Sequence, residues 1–516
     1  MKLKLSIIKS QCYILTLTIF FYILFPLIFL LFFLIHLVRR SVSFLKLIFR
    51  PDLGKILTPQ SSFLAVDNPY VGTPKWNLCI WVIYEGDIDI ENIVETFYRQ
   101  VVLREAKNGT LAYPELQQYF SQWLGFLFWK SEDNFSMRAH SRHYESNNNS
   151  TINDLDTIIK NLTWAPFKEK TSPWEFLWIR NYRPRYLDGV DSIAPKTVKI
   201  FRVHHGLGDG VANIKLLLEH LCNVSLKTTA KPRFEKRNGF GTFARVLKAP
   251  VVAPYQFIKM LVEAKDSNDW HPRSESELVR PFNNAFSDRI NLDFIRSIKQ
   301  RHGVSYNAVV MTAITGGIRR IMLQQGKAVP EVINAGLPIP LPGHPGTMTN
   351  HWTSAFIQLP VGMKDSFQRL AKIEENLRIL KGSYAPAFNH VVVSTCGAVF
   401  SGLIKKLNKN DFSTTTISNF PGPTFKRECV IGEKIYEMLD INFAAGNGTT
   451  RSGLSFNMVS FGDGVRIITE ANRCILPDDA AVQDLNRAIV DELNLLAKTN
   501  PILEVPTEGL PILANT

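Results

Sequence analysis

The sequence predicts a mixed α/β protein of two domains behind an N-terminal membrane helix or hairpin. Three observations predict this. The chain has 516 residues, too many for one ordinary hydrophobic core. Short apolar runs with strand character alternate with segments of helical spacing through both halves. Finally, residues 13–38 (YILTLTIFFYILFPLIFLLFFLIHLV) contain no Asp, Glu, Lys or Arg.

That apolar run would reach about 39 Å as a helix, more than the roughly 30 Å hydrocarbon core of a bilayer. The segment after it, LVRRSVSFLKLIFR, offers no small-residue cleavage site. Residues 1–50 therefore read as a membrane anchor, either a tilted span or a re-entrant hairpin bent at Pro26. Phe44 to Phe49 interleave bulky apolar residues with Lys46, as at a headgroup layer. Lys2, Lys4 and Lys9 on one side balance Arg39, Arg40, Lys46 and Arg50 on the other, so charge gives no orientation. Glycosylation sequons occur at Asn108, Asn134, Asn148, Asn149, Asn161, Asn223 and Asn447, and have meaning only for a lumenal body.

A first domain is expected over 60–225. NLCIWVIY (77–84) is a buried strand, and Ile90, Ile93, Val94, Phe97 and Val101 then fall on one face of a helix. ESNNNSTIND (145–154) is a polar loop tip. Trp174–Arg180 and Val198–Val203 are strands, with residues 184–195 looping between them. A helix from Gly210 to Leu221 puts Val211, Ile214, Leu217, Leu218 and Leu221 on one side.

Residues 226–285 read as a basic amphipathic crossover linker, with Arg245, Lys248, Lys259 and Lys265 among apolar residues. It is either an element lying on a membrane surface or two surface helices broken at Pro250 and Pro254. A second domain is expected over 286–516. It opens with a helix stopped at Gly303 and a second helix capped by Ser305. It closes with a hairpin around Gly462-Asp463-Gly464 and an amphipathic helix from Ala481 to Ala497.

Composition narrows the function. Hydrophobic residues make up 45% and charged residues 20%, a globular balance. The net charge of +13 suits nucleic acid, anionic lipid or a phosphorylated ligand. With no zinc-finger spacing and no aromatic RNA-binding signature, nucleic acid is the weakest of these and is not expected as a partner. The six cysteines are scattered without a CxxC pair, so they read as buried thiols, and no metal site is expected.

The chemistry concentrates in VKIFRVHHGLGDG (198–210). Neighbours on a strand point to opposite faces, so His204 and His205 cannot share one cavity. One is the reactive imidazole and the other a supporting group. Gly206 and Gly208 remove bulk, letting a substrate approach His205 and the turn adopt positive φ. Asp209 braces the loop through backbone N–H groups or an arginine, or orients an imidazole. An imidazole so placed suits a general base that takes a proton from an alcohol or thiol attacking an acyl carbon. There is no G-x-S-x-G elbow for a serine acyl-enzyme. The spacing is not that of a helical histidine pair on zinc.

HHGLGDG fits the HHxxxDG signature of the CoA-dependent acyltransferase superfamily, which includes chloramphenicol acetyltransferases and condensation domains. More specifically, the chain resembles the bifunctional wax ester synthase/diacylglycerol acyltransferase family. SPWEF (172–176) is similar to its PLW segment, YNAVVM (306–311) to its NDVV segment and ISNFPGP (417–423) to its SNVPGP segment. LSFNMVSFGDGVRIITEANRCILPDD (454–479) is similar to its closing hairpin. The resemblance covers about residues 60–500.

It implies two chloramphenicol-acetyltransferase-like domains joined by a crossover. A tunnel between them would admit acyl-CoA from one side and a fatty alcohol or diacylglycerol from the other. Acyl-CoA is then a substrate, and no cofactor is expected. The resemblance makes His205 the base, with His204 its catalytic-loop neighbour and Asp209 a structural carboxylate held by an arginine. Gly206, Gly208, Gly210, Trp174, Asn307, Thr416, Ser418 and Asn419 are the candidate substrate-contacting residues. Thr416 or Ser418 could donate to the tetrahedral oxyanion, or simply belong to a Thr-rich strand. Asn419 either fixes its turn or lines the site. The chain departs from the family at Ala308, where NDVV has Asp, and at Pro173-Trp174, where PLW has an intervening Leu.

The expected function is membrane-bound acyl transfer to a hydroxyl, on the endoplasmic reticulum with the catalytic domains cytosolic. The alternatives are a catalytically silent lipid or acyl-CoA carrier of the same fold, or an acyltransferase with another alcohol acceptor.

Overall fold

The structure is a computed structural model that describes residues 2–144, 152–183, 194–224, 239–408, 411–422, 427–448 and 451–498. Most of the 145–154 loop tip, the 184–195 loop and the basic start of the linker lie outside these residues, as does Pro423 of ISNFPGP.

In the first half the elements are α1 (Lys2–Phe49), β1 (Leu53–Ile56), α2 (Pro59–Ala65), β2 (Asn77–Glu85) and α3 (Ile90–Phe97). They continue with β3 (Gln118–Trp123), β4 (Phe126–Ser131), β5 (Ser141–His143), α4 (Ile152–Trp164), β6 (Trp174–Tyr182), β7 (Lys196–His204), α5 (Gly210–Ile214) and α6 (Gly239–Glu263). The second half contains β8 (Asn283–Phe286), β9 (Ile290–Asn291), α7 (Leu292–His302), α8 (Tyr306–Gln324), β10 (Ile333–Pro340) and β11 (Trp352–Leu359). There follow α9 (Ser366–Gly382), α10 (Ala385–Gly397), α11 (Ser401–Leu407), β12 (Thr415–Phe420), β13 (Glu428–Ile431), β14 (Lys434–Ala445), β15 (Leu454–Phe461), β16 (Gly464–Ala471) and α12 (Asp479–Lys498).

Two large mixed sheets result. The first has the order β13-β14-β2-β7-β6-β5, and the second runs β11-β10-β12-β15-β16-β8 with β9 also on β16. β1, β4 and β3 form a small third sheet. Strand β7 alternates Phe201 and Val203 into one core with Val198 and Ile200 into another, the period-two pattern of a strand covered on both faces. One of those cores is closed by Ile93 and Phe97 of α3 and by Leu216 and Leu217, the other by Leu155, Ile158 and Ile159 of α4. On the second sheet, α8 and α12 approach closely because a Cβ on Gly317 would lie 2.6 Å from Ile489.

Four expectations change. Residues 286–516 are not a closed unit in space, because β14 pairs with β2 of the first sheet from Met438↔Tyr84 to Ala445↔Leu78. Pro26 does not fold α1 into a hairpin; the helix runs through it. The linker is not two broken helices either, since α6 continues through Pro250 and Pro254. Pro254 cannot donate to the carbonyl four residues back, and the Tyr22 hydroxyl reaches that Pro250 oxygen at 3.1 Å and the Val251 oxygen at 2.7 Å. Past Ile214 the α5 helix widens into a π-helix, Lys215–His220, which carries Leu216 inward beside the expected Leu217 and Leu218. The capping by Ser305, the left-handed stop at Gly303 and the hairpin turn at Gly462-Asp463 are as the sequence predicts.

Among the described residues, one helix, Lys9–Phe49, is long and apolar enough to cross a membrane.

Candidate active site

The site forms where β7 ends. The fully buried strand delivers His204 as its last residue, opposite Asn77 of β2, and the chain then turns through residues 205–209 into α5. Against this turn lies a segment of the second half, residues 348–352, which leads into β11. Thr349 accepts the Asp209 N–H at 3.1 Å, and the His351 N–H donates to Asp209 Oδ2 at 2.7 Å.

Asn350 makes the decisive contact. Its Nδ2 donates to the His205 carbonyl at 2.8 Å and to Ser61 Oγ of α2 at 3.2 Å, which fixes the amide's orientation. Its Oδ1 therefore accepts, taking the indole N–H of Trp352 at 3.3 Å and His205 Nδ1 at 2.9 Å. Nδ1 must carry the proton, so in the neutral ring Nε2 holds the free lone pair. No protein hydrogen bond to Nε2 occurs among the described residues. The half-buried ring is set edge-on to Trp76, with centroids 6.1 Å apart, and Trp352 lies at the same distance on a tilt. Burial pulls the His205 pKa below its ordinary value, opposed by the charge of Asp209 and the Asn350 hydrogen bond. The ring is thus neutral at neutral pH.

His204 has a different environment. It is fully buried, its Nδ1 accepts the Gly206 N–H at 3.1 Å, and Phe120 lies edge-on to its ring. Its proton is therefore on Nε2, 3.7 Å from Asp67 Oδ2. Asp67 also accepts the backbone N–H of Lys75 and of Trp76, the residue whose carbonyl receives the His205 N–H at 2.7 Å. His204 thus ties the turn to the first domain and presents nothing to an open space.

Asp209 caps α5 by accepting the Ala212 N–H at 3.0 Å. Burial works against its charge, but His344, with Nε2 at 3.2 Å, and the two backbone amides outweigh it and hold the pKa below the usual carboxylate range. The expected arginine partner is replaced by His344 among the described residues.

The glycines act differently from expectation. Neither Gly206 nor Gly208 has positive φ. A Cβ on Gly206 would sit 2.9 Å from Phe120 and 3.0 Å from Ala65, and one on Gly208 3.1 Å from Ala212. They allow close packing of the turn and do not open a path to His205. Gly210 has room, with the Phe420 ring of β12 at 3.7 Å from its Cβ position.

Trp174 is a correction. It is 1% exposed, stacks on His140 at 4.5 Å, lies against Phe97, Phe176 and Phe201, and donates its indole N–H to Leu116. It is a core residue and contacts no substrate space. On β12, Thr416 and Ser418 share the half-open face while Thr415 and Ile417 are buried. Thr416 lies 3.4 Å from Ser452 Oγ. Asn419 donates to Asn307 at 2.9 Å, latching the end of β12 to the first turn of α8. Ala308 is fully buried in the second core, one turn after Ser305, whose N–H donates to Glu374.

Asn350, Trp352, Trp76, His344 and Asp67 were not anticipated. The Asn-His-Trp run beside the Gly- and Pro-rich loop 342–346 was the available signal, 145 positions from His205 along the chain. Among the described residues, no three His, Cys, Asp or Glu side chains cluster as metal ligands.

The family model "WS/DGAT C-terminal domain" matches residues 348–497, beginning at the segment that holds Asp209 and His205. A Mycobacterium tuberculosis protein, provisionally named a diacylglycerol O-acyltransferase, is 24% identical over 69% of this chain and 74% of its own. The O-acyltransferase WSD of Acinetobacter baylyi is 22% identical over 78% of this chain and 90% of its own. In structure, the wax ester synthase/diacylglycerol acyltransferase of Marinobacter aquaeolei VT8 superposes with a TM-score of 0.55 at 18% identity, covering 86% of this chain and all of that one. The trichothecene 15-O-acetyltransferase of Fusarium sporotrichioides gives 0.54 at 12% identity, with 86% and 94% covered. The fold is that of these acyltransferases, and residues 348–497 match the WS/DGAT C-terminal domain.

Proposed function

We propose that the protein is a membrane-associated O-acyltransferase that moves a long-chain fatty acyl group from CoA to a fatty alcohol or a diacylglycerol. The observation that carries this reading is the His205 ring, protonated on Nδ1 by its bond to Asn350 and open at Nε2. The names of the relatives support acyl transfer to oxygen and the two product classes, a wax ester and an acylated diacylglycerol.

Nε2 takes the proton of the acceptor hydroxyl as the oxygen attacks the thioester carbonyl carbon. The tetrahedral intermediate then collapses, the C–S bond breaks, and the imidazolium returns its proton to the departing CoA sulfur. No serine or cysteine intermediate is needed. A depressed His205 pKa keeps the ring unprotonated between turnovers. Thr416 and Ser418 are the proposed oxyanion donors, on the open face of β12. His204 and Asp209 position the turn without touching the reacting atoms. Supported by the apolar α1 and a cytosolic acyl-CoA pool, we place the protein on the endoplasmic reticulum with its catalytic body in the cytosol.

The test uses microsomes, labelled palmitoyl-CoA and competing long-chain alcohol and diacylglycerol acceptors. His205→Ala should lower formation of both esters by about 10²-fold or more at unchanged protein level, and near-wild-type activity would remove the base assignment. Binding of acyl-CoA with no product over a broad acceptor panel would instead favour a carrier. A mobility shift on endoglycosidase treatment would make the body lumenal.

A further inference from the structure

α1 does not project from the body. Its shielded positions, among them Ile14, Thr18, Ile35, Arg39 and Val42, recur every three or four residues on one face of the helix. That face is bonded along its length. Tyr255 donates to Gln11 at 2.9 Å, Phe21 meets Phe388 of α10 at 6.0 Å, and Arg39 donates to the Leu57 carbonyl. Lys46 donates to the Leu53 and Gly54 carbonyls at 2.7 and 2.8 Å. From Gln11 to Lys46 the contacts extend for about 50 Å, well beyond the roughly 30 Å of hydrocarbon. A helix crossing the bilayer through residues 13–38 in this pose would carry α6 and α10, which pack beside that run, into the hydrocarbon together with Lys248 and Lys259 of α6.

The opposite face of α1 is exposed and apolar, with Phe20, Ile23, Leu27 and Leu34 each half exposed or more. Three further surfaces continue it. On α6, Leu247 and Val251 are exposed beside Lys248. Between Lys381 and Lys405 there is no Asp, Glu, Lys or Arg, and here Val391 of α10, Phe400 at the cap of α11 and Leu403 of α11 are exposed, followed by Leu407 at the end of α11. At the β3–β4 tip, Leu124 is held at φ 45°, a conformation disfavoured for a side-chain-bearing residue, and is left exposed. The pieces are contiguous: Phe388 touches Phe257 of α6 at 5.3 Å, and Phe400, the residue that caps α11, touches Phe126 of the hairpin at 4.9 Å. Lys248, Lys405 and Lys406 flank the apolar area, as cations do against anionic headgroups.

We infer that α1, α6, α10, α11 and the Leu124 hairpin form one face that seats the protein in a single leaflet of an anionic bilayer, with α1 lying in the membrane plane and both its ends on the same side. Resting on the acyl-transfer reading, this face also gives the acceptor its route. The inner side of α10 bonds β11 through Asn389 to the Ser354 carbonyl at 3.0 Å and through His390 to the Trp352 carbonyl at 3.3 Å. An alcohol dissolved in the leaflet thus meets His205 behind the helix that contacts lipid.

The full-length chain, carrying one epitope ahead of Met1 and another after Thr516, is treated with protease in sealed microsomes. Both epitopes should share one fate, and protection of one with loss of the other would overturn the in-plane assignment, as would a protein found wholly in the soluble fraction. In a second arm, Leu403→Asp with Leu407→Asp should raise the KM for vesicle-dissolved diacylglycerol about tenfold and leave turnover of a short, water-soluble alcohol unchanged. An unchanged KM would remove α11 from the docking face. If no acceptor yields ester at all, the acyl-transfer reading fails, while the epitope result still decides how the chain sits on the membrane.

Discussion

β7 and β12 are both interior strands, one in each large sheet, and both run toward the junction of the two halves. β7 is antiparallel to both neighbours and buried at every residue, including Lys196, paired to Glu85, and Arg202, paired to Glu175. β12 is parallel to both neighbours and keeps Thr416 and Ser418 on a half-open face. The proposed base therefore sits just past the end of a strand that is buried throughout, whereas the proposed oxyanion donors sit on a strand with a half-open face. A proton acceptor must be held to within a fraction of an ångström, so burial of the supporting strand serves geometry.

The sharpest test of that contrast is on the β7 side. His205→Ala should lower kcat/KM by about 10²- to 10⁴-fold, the range for a lost general base. A folded His204→Ala variant that loses as much, with His205 intact and its pH profile unmoved, would break the division of roles between the two rings. On the β12 side, Thr416→Ala and Ser418→Ala together should lower kcat by about 10²-fold with KM little changed, as expected for donors used chiefly in the transition state. A loss confined to KM would make this face a binding wall.

Asn350 joins the two strands' territories, and substituting it should have a smaller but more diagnostic effect. Asn350→Leu should cost roughly 10- to 10²-fold in kcat, by releasing the tautomer. Asn350→Asp should move the pH profile. Burial depresses the His205 pKa, so the wild-type ring stays a competent base below the ordinary imidazole value and kcat/KM falls only as pH drops through that lowered value. A carboxylate beside Nδ1 favours the imidazolium, raises that pKa and shifts the acid limb upward. An acid limb left in place by Asn350→Asp would show that Asn350 does not set the protonation of His205.

How much of this was legible follows from what sequence separation hides. The apolar run into His204, the glycines and Asp209 are contiguous, so the candidate catalytic turn could be read directly, and the Asp209 cap needed only residues three apart. Asn350 could not be found that way, because its relation to His205 depends on the second half docking onto the first. The same docking explains His344 in place of an arginine. The exchange of β13 and β14 into the first sheet was hidden for another reason: a strand's pattern states which of its faces are covered, not which sheet it joins. The glycines were read as openings, since sequence gives small size but not whether the space saved faces substrate or Phe120.

Trp174 carries the same lesson to the smallest expected effect on chemistry. SPWEF resembles a motif, yet WEFLWI is apolar apart from Glu175 and does not alternate, so its faces could not be told apart in sequence. The structure stacks the indole on His140 and seals it among three phenylalanines, one strand away from the turn it seemed to serve. Trp174→Ala should therefore cost about 3–5 kcal/mol of stability, through the cavity and the lost Leu116 bond. Denaturant unfolding of the first half would register this as a lower midpoint, while the protein that remains folded keeps its kcat and its KM for both substrates. A raised KM for acyl-CoA at unchanged stability would place Trp174 on the substrate path and reopen the separation between the locked strand and the open one.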